Sequence, residues 1–235
     1  MLKAFTQKKL SNTLPFVYDY LLSLPPDYNN NNSVRWPLIL FLHGAGEIGS
    51  PIDKVKTHGI PKLVQSYSTG LFDDVNQECA RFVTEKFITC SPQVRRSYGW
   101  NVQVLKSLLD ELEQDYRVDI NRIYVTGISM GGYGAWSLAM SSPHRFAAIL
   151  PVCGGGDCSL VKCLSHLPIW VFHGKLDDVV PVEESEQLVK RLEREEQGKC
   201  QLTIYPTLKH DSWTDTYNNL EIYCWLLKQT KETQK

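Results

Sequence analysis

Residues Pro37–Leu42 read PLILFL, a run of six with no polar side chain. In an extended strand successive side chains point to opposite faces, so such a run must be covered on both. The middle of a parallel sheet, with helices above and below, meets that requirement. Comparable short, branched or aromatic runs recur at Phe16–Leu24, Lys86–Cys90, Ile123–Thr126, Ala147–Val152, Pro168–Phe172 and Gln201–Tyr205. Helical periods lie between them. In Asn101–Tyr116, Val104, Leu105, Leu108, Leu109, Leu112 and Tyr116 form one apolar stripe. Val182–Glu195 offers only Leu188, Val189 and Leu192 on a charged surface, which predicts a peripheral helix. Trp213–Leu227 repeats apolar residues at Trp213, Tyr217, Leu220, Tyr223, Cys224 and Leu227, which predicts a last helix packed on the sheet. Asn29–Asn32 reads as a surface loop between two strands. The expectation is one α/β domain over residues 1–235, with a mostly parallel central sheet flanked by helices.

A chain of 235 residues can bury a continuous core without disulfides or a structural metal. Its formal charge of −1 provides no basic excess for nucleic acid phosphates or an anionic membrane surface, so neither partner is expected. No apolar run is long enough to span a bilayer, and MLKAFTQKKLSNTLPF lacks the apolar core of a signal peptide. Seven cysteines make an odd count without a C-x-x-C pair, and no Cys/His pattern completes a zinc site. Free thiols, a reducing cytoplasmic location and no metal are therefore expected.

In open α/β sheets chemistry collects beyond the carboxyl ends of the strands. There the strand IYVT runs into Gly127-Ile128-Ser129-Met130-Gly131-Gly132 and then a helical stretch. This is G-x-S-x-G in strand–turn–helix context, the arrangement that holds a serine hydroxyl exposed on a sharp turn. A serine needs a base, and the chain order for such a site is Ser, then Asp or Glu, then His. His144 and His166 sit at a helix end and in a short loop, and His173 precedes the candidate acids. His210, in YPTLKHDSW, occupies the loop between the last strand and the last helix, where the base belongs. After PIWVF, the stretch HGKLDDVVP offers Asp177 and Asp178 as the acid. Asp157 in GGGDC is a weaker rival, and Asp211 reads as a helix N-terminal residue facing away from its neighbour His210. Oxyanion-stabilising amides are expected from Met130, directly after the nucleophile, and from Ala45 in the turn His43-Gly44-Ala45-Gly46-Glu47. His43 reads as a brace for that turn.

Taken jointly, PLILFLHGAGE, HGIPKLV, VDINRIYVTGISMGGYGAW, CGGGD, PIWVFHGKLDDVVP and HDSW resemble the α/β-hydrolase superfamily, from about Val17 to the last helix. The chain is most similar to its small esterases, the phospholipase/carboxylesterase and polyhydroxybutyrate-depolymerase-like group with its feruloyl-type esterases and predicted peptidases. That resemblance implies the α/β-hydrolase fold and a catalytic set of Ser129 as nucleophile, Asp177 as acid and His210 as base. It also implies Ala45 and Met130 as oxyanion hole, and no cofactor. Its H-G-x-x-D-x-x-V-P pattern is what favours Asp177 over Asp178. Cys158 departs from the proline expected after GGGD. A serine in the elbow argues against dienelactone hydrolases, which use cysteine, and the length leaves no room for the propeller of prolyl oligopeptidases.

Cys153–Leu167 is too short for a large lid, so an open site acting on soluble short-chain or aromatic esters is expected. The segment Ala45–Glu85 is a candidate wall over it. Trp100, Trp136 and Trp213 read chiefly as core, with Trp213 the best placed to contact substrate. Two alternatives use the same residues: a serine peptidase or thioesterase, and a non-catalytic ligand-binding protein. Nothing in the sequence indicates an oligomeric state.

Overall fold

The computed structural model describes residues 5–10, 17–30, 32–49, 51–96, 99–194 and 199–231. Among these, eight strands form one sheet: β1 (Thr6–Lys9), β2 (Asp19–Ser23), β3 (Trp36–Leu42), β4 (Ile88–Gln93), β5 (Val118–Ile128), β6 (Ala148–Val152), β7 (Ile169–Gly174) and β8 (Cys200–Tyr205). Their order is β1-β2-β4-β3-β5-β6-β7-β8. β2 pairs antiparallel with β1 and β4, and every other pairing is parallel.

The apolar run Pro37–Leu42, in β3, lies at the middle of this sheet, between β4 and β5. Leu38, Leu40 and Leu42 point to one face, under α3 (Val102–Asp115), α4 (Met130–Ser141) and α5 (Glu183–Leu192). Ile39 and Phe41 point to the other, under α1 (Gly59–Thr69), α2 (Gln77–Lys86), α6 (Trp213–Tyr217) and α7 (Leu220–Lys228). All five side chains are almost completely buried. The result is three layers, helix on sheet on helix. No helix among the described residues is long and apolar enough to cross a membrane.

Four features depart from the sequence reading. β1 is an additional edge strand of sequence TQKK, with two lysines on a sheet margin where charge discourages further pairing. The early strand is Asp19–Ser23, and Phe16, assigned to it from sequence, lies outside the described residues. Most of Ala45–Glu85 is not a wall over the site: α1 and α2 occupy it and bury Ile60, Leu63, Val64, Cys79, Ala80 and Val83 against the sheet. The single helix expected over Trp213–Leu227 is two. Asn218 breaks it, because its Nδ2 donates to the Asp74 carbonyl at 2.8 Å and its Oδ1 accepts from the Asn76 amide at 2.7 Å. Asn219 then caps α7 by accepting from the Glu221 amide at 2.9 Å.

Candidate active site

β3, β5, β6, β7 and β8 are parallel neighbours, so their carboxyl ends open on one side of the molecule. Ser129 sits between β5 and α4 at φ 52° and ψ −116°, a backbone conformation that residues other than glycine rarely adopt. The turn is held on both sides. The Ser129 amide donates to the Val152 carbonyl at 3.0 Å, and the Tyr133 amide donates to the Ser129 carbonyl at 3.1 Å. Glycine is needed around it for close approach. A Cβ on Gly127 would lie 2.3 Å from the Gly131 carbonyl oxygen, and one on Gly131 would lie 1.9 Å from that of Leu42. The chain leaving β3 therefore runs directly against the elbow at Leu42 and His43, just before the turn that begins at Ala45.

Across the strand ends a row of hydrogen bonds joins three of the expected residues. The Ser129 hydroxyl lies 3.0 Å from His210 Nε2, and His210 Nδ1 lies 2.8 Å from Asp177 Oδ2. The other carboxylate oxygen, Asp177 Oδ1, accepts from the amides of Val179 and Val180, each at 2.9 Å. With its side chain fully buried, the carboxylate is held with little freedom, while His210 keeps 19% of its side chain exposed. The loops carrying the two residues touch, since a Cβ on Gly174 would sit 2.1 Å from the Lys209 carbonyl oxygen.

The rival residues lie elsewhere. Asp178 is exposed and pairs with Lys209 at 3.1 Å, and that ammonium holds its carboxyl below the usual carboxylate range. Asp157 is bound at the surface to Ser159, and Asp211 accepts from the Thr214 amide at the start of α6. His144 and His166 pack on each other with ring centroids 4.6 Å apart. His43 is a brace: Nε2 accepts from the Val94 amide at 3.0 Å, and Nδ1 lies 2.6 Å from the Gly44 carbonyl. Burial drives its pKa down to about 4, which keeps the ring neutral.

Trp136 is completely buried, and Trp100 packs on His43 at 4.8 Å. Trp213 stands edge-on to His210 at 5.3 Å and packs at a tilt on His58 at the same distance. With His58, Trp213 also lines a shallow surface depression beside Lys62, Asp74 and Asn218. His58 in turn lies 3.8 Å from the buried carboxylate of Glu47.

Three residues beside the site escaped the sequence reading in these roles. His173 was considered only as a base, yet its Nε2 lies 3.2 Å from Asp177 Oδ2; its place four residues before the acid was the available signal. Glu47 is buried, which raises its pKa, and Oε2 has no hydrogen-bond partner. Cys153 is buried at φ 41°, and one atom each of Cys153, Asp177 and His210 lie within 4.8 Å of one another. Burial pushes the thiol up to about 12, and the other two groups are hydrogen-bonded to each other.

A bifunctional acetylxylan esterase/xylanase of Neocallimastix patriciarum is 28% identical over 97 residues, which is 39% of this chain and 14% of that protein. A probable feruloyl esterase C of Aspergillus niger is 26% identical over 173 residues, 74% of this chain and 60% of that one. The crystal structure of a thermostable esterase superposes with a TM-score of 0.81 at 31% identity, covering 97% of this chain and 64% of the other. This chain thus spans less than two thirds of each. The model of the phospholipase/carboxylesterase family matches residues 29–224, so the α/β-hydrolase architecture and the order of motifs have one source: the chain belongs to that family.

Proposed function

We propose that the protein is a serine carboxylic-ester hydrolase that works through an acyl-enzyme. The observation that carries this reading is the continuous row from Ser129 through His210 to Asp177. His210 Nε2 takes the hydroxyl proton as Ser129 Oγ attacks the ester carbonyl. Asp177 fixes the tautomer with Nδ1 protonated and balances the charge of the imidazolium. Amides of Ala45 and Met130 stabilise the tetrahedral oxyanion, helped by the N-terminus of α4. His210 then returns the proton to the departing alkoxide, leaving Ser129 acylated. Water, deprotonated by His210, attacks the acyl group, and Ser129 leaves with its proton restored.

The preferred substrates are soluble esters with short or aromatic acyl groups. Cys153–Leu167 holds only a four-residue 3₁₀ turn at Val161–Leu164, far short of a covering lid. Leu176 and Val179 remain 55% and 64% exposed beside Asp177, and Tyr133 is 36% exposed one helical turn after Ser129, an apolar rim suited to such groups. The names of the two curated relatives, a feruloyl and an acetylxylan esterase, point the same way. Trp213 stands edge-on to the base and is the side chain placed to contact substrate on that side.

Hydrolysis of p-nitrophenyl esters of rising chain length, with Ser129→Ala and His210→Ala beside wild type, tests this. The expected result is turnover of short esters reduced at least about 10³-fold in both variants. Equal rates in the three proteins would refute it. Faster cleavage of an anilide than of the matching ester would turn the assignment to a peptidase.

A further inference from the structure

We propose that His173 is a positioning residue for this reaction, its Nε2–H donated to the Val180 carbonyl and standing close to Asp177 Oδ2, so that the carboxylate is anchored through its loop and partly neutralised opposite His210. The inference rests on the serine hydrolase reading above and deepens it.

Hydrogen accounting fixes the role of Nε2. It lies 2.9 Å from the Val180 carbonyl oxygen and 3.2 Å from Asp177 Oδ2, and both of these atoms only accept. Nε2 must therefore carry the hydrogen. Nδ1 lies 2.8 Å from Ser185 Oγ, which is also 3.0 Å from the Gly154 carbonyl oxygen. Both His173 and Ser185 are completely buried. With Nδ1 accepting from the Ser185 hydroxyl, the ring ties the end of β7 to the loop of the acid and to the first turn of α5. His43 is equally buried but is bound to the Val94 amide and the Gly44 carbonyl, whereas His173 stands beside the carboxylate itself.

Asp177 accepts three N–H groups, two amides at Oδ1 and His210 at Oδ2, and the N–H dipole of His173 stands 3.2 Å from Oδ2. Each donor stabilises the anion and weakens its hold on the His210 imidazolium. Removing the His173 donor leaves a more basic carboxylate, and His210 then retains its proton to higher pH. Other groups face this network: the Cys153 thiol after β6, Tyr133 of α4 with Glu184 of α5, the Asp178–Lys209 pair at the rim, Asp211, and Lys175 paired with Glu186. Burial raises Cys153 and Tyr133, and Lys209 lowers Asp178, which moves all three away from neutrality.

The test is the pH profile of kcat/KM on p-nitrophenyl acetate for wild type, His173→Leu, His173→Asn and His173→Gln, with thermal melting of each. Glutamine places an amide N–H where Nε2 stood. Asparagine reaches only the Nδ1 position and keeps the Ser185 contact, while leucine supplies neither. The acidic limb is expected to move up by about half a pH unit or more in the leucine and asparagine variants. In these two kcat should fall about tenfold, with KM changed less than about twofold. The glutamine variant should keep the wild-type limb. Asparagine carries the test if leucine prevents folding. A folded leucine or asparagine variant with an unmoved limb would overturn the proposal, as would a glutamine variant that shifts equally. Full activity in Ser129→Ala would instead overturn the serine hydrolase reading beneath it.

Discussion

At His43 a completely buried ring is held between the Val94 amide and the Gly44 carbonyl, and its pKa falls to about 4 against an ordinary 6.5. Between these values the unfolded chain binds a proton that the folded one refuses, so stability falls as the pH is lowered through this window. The loss reaches up to roughly 3 kcal/mol by pH 4. His43→Gln should be less stable than wild type at pH 7 yet lose less melting temperature between pH 6.5 and 4.5; equal acid slopes would remove His43 as the cause. Gly131 is constrained by sterics alone. Its absent Cβ would meet a backbone carbonyl, which cannot rotate away as a side chain can, so Gly131→Ala should cost about 3 kcal/mol or more in urea denaturation. Both residues were legible in the sequence, one as a brace and one as part of the elbow. Asp177 was less so: HGKLDDVVP presents two adjacent carboxylates, and only the resemblance chose between them. Folding separates them, burying one under two amides and leaving the other with Lys209 in solvent.

Among elements, the strands were legible wherever burial on both faces demanded an unbroken apolar run. β1 was not, because Thr-Gln-Lys-Lys contains no apolar residue and is a strand only through its pairing with β2. α1 carries Ile60, Leu63, Val64 and Tyr67 at helical spacing, but Gly59 and Pro61 in its first turn obscured the period. The break between α6 and α7 left only one local trace, Asn219 as the cap of α7. Asn218 makes it by reaching residues more than 140 positions away, while the apolar period runs on across it. Asn218→Ala should therefore cost about 1 kcal/mol in chemical denaturation, from two lost surface hydrogen bonds. A neutral substitution would show that the stitch is incidental to α6, the helix that begins with Trp213.

Across the whole molecule, three layers bury the sheet and leave chemistry at one edge. All seven cysteines are free, and their reactivity should follow the layers. Cys79, Cys90 and Cys153 are buried, which raises each thiol, whereas Cys163 is exposed. In the native protein a thiol reagent should modify Cys163 first and spare those three, and denaturant without reductant should release all seven. A lower total would reveal a disulfide. The most direct test of the central claim is intact-mass and peptide analysis after exposure to a fluorophosphonate. Ser129 Oγ should displace fluoride and form one phosphonyl adduct, on the peptide containing GISMGG, which Ser129→Ala abolishes. An adduct on another residue, or none at all from a preparation that hydrolyses esters, would contradict the assignment of Ser129 as nucleophile.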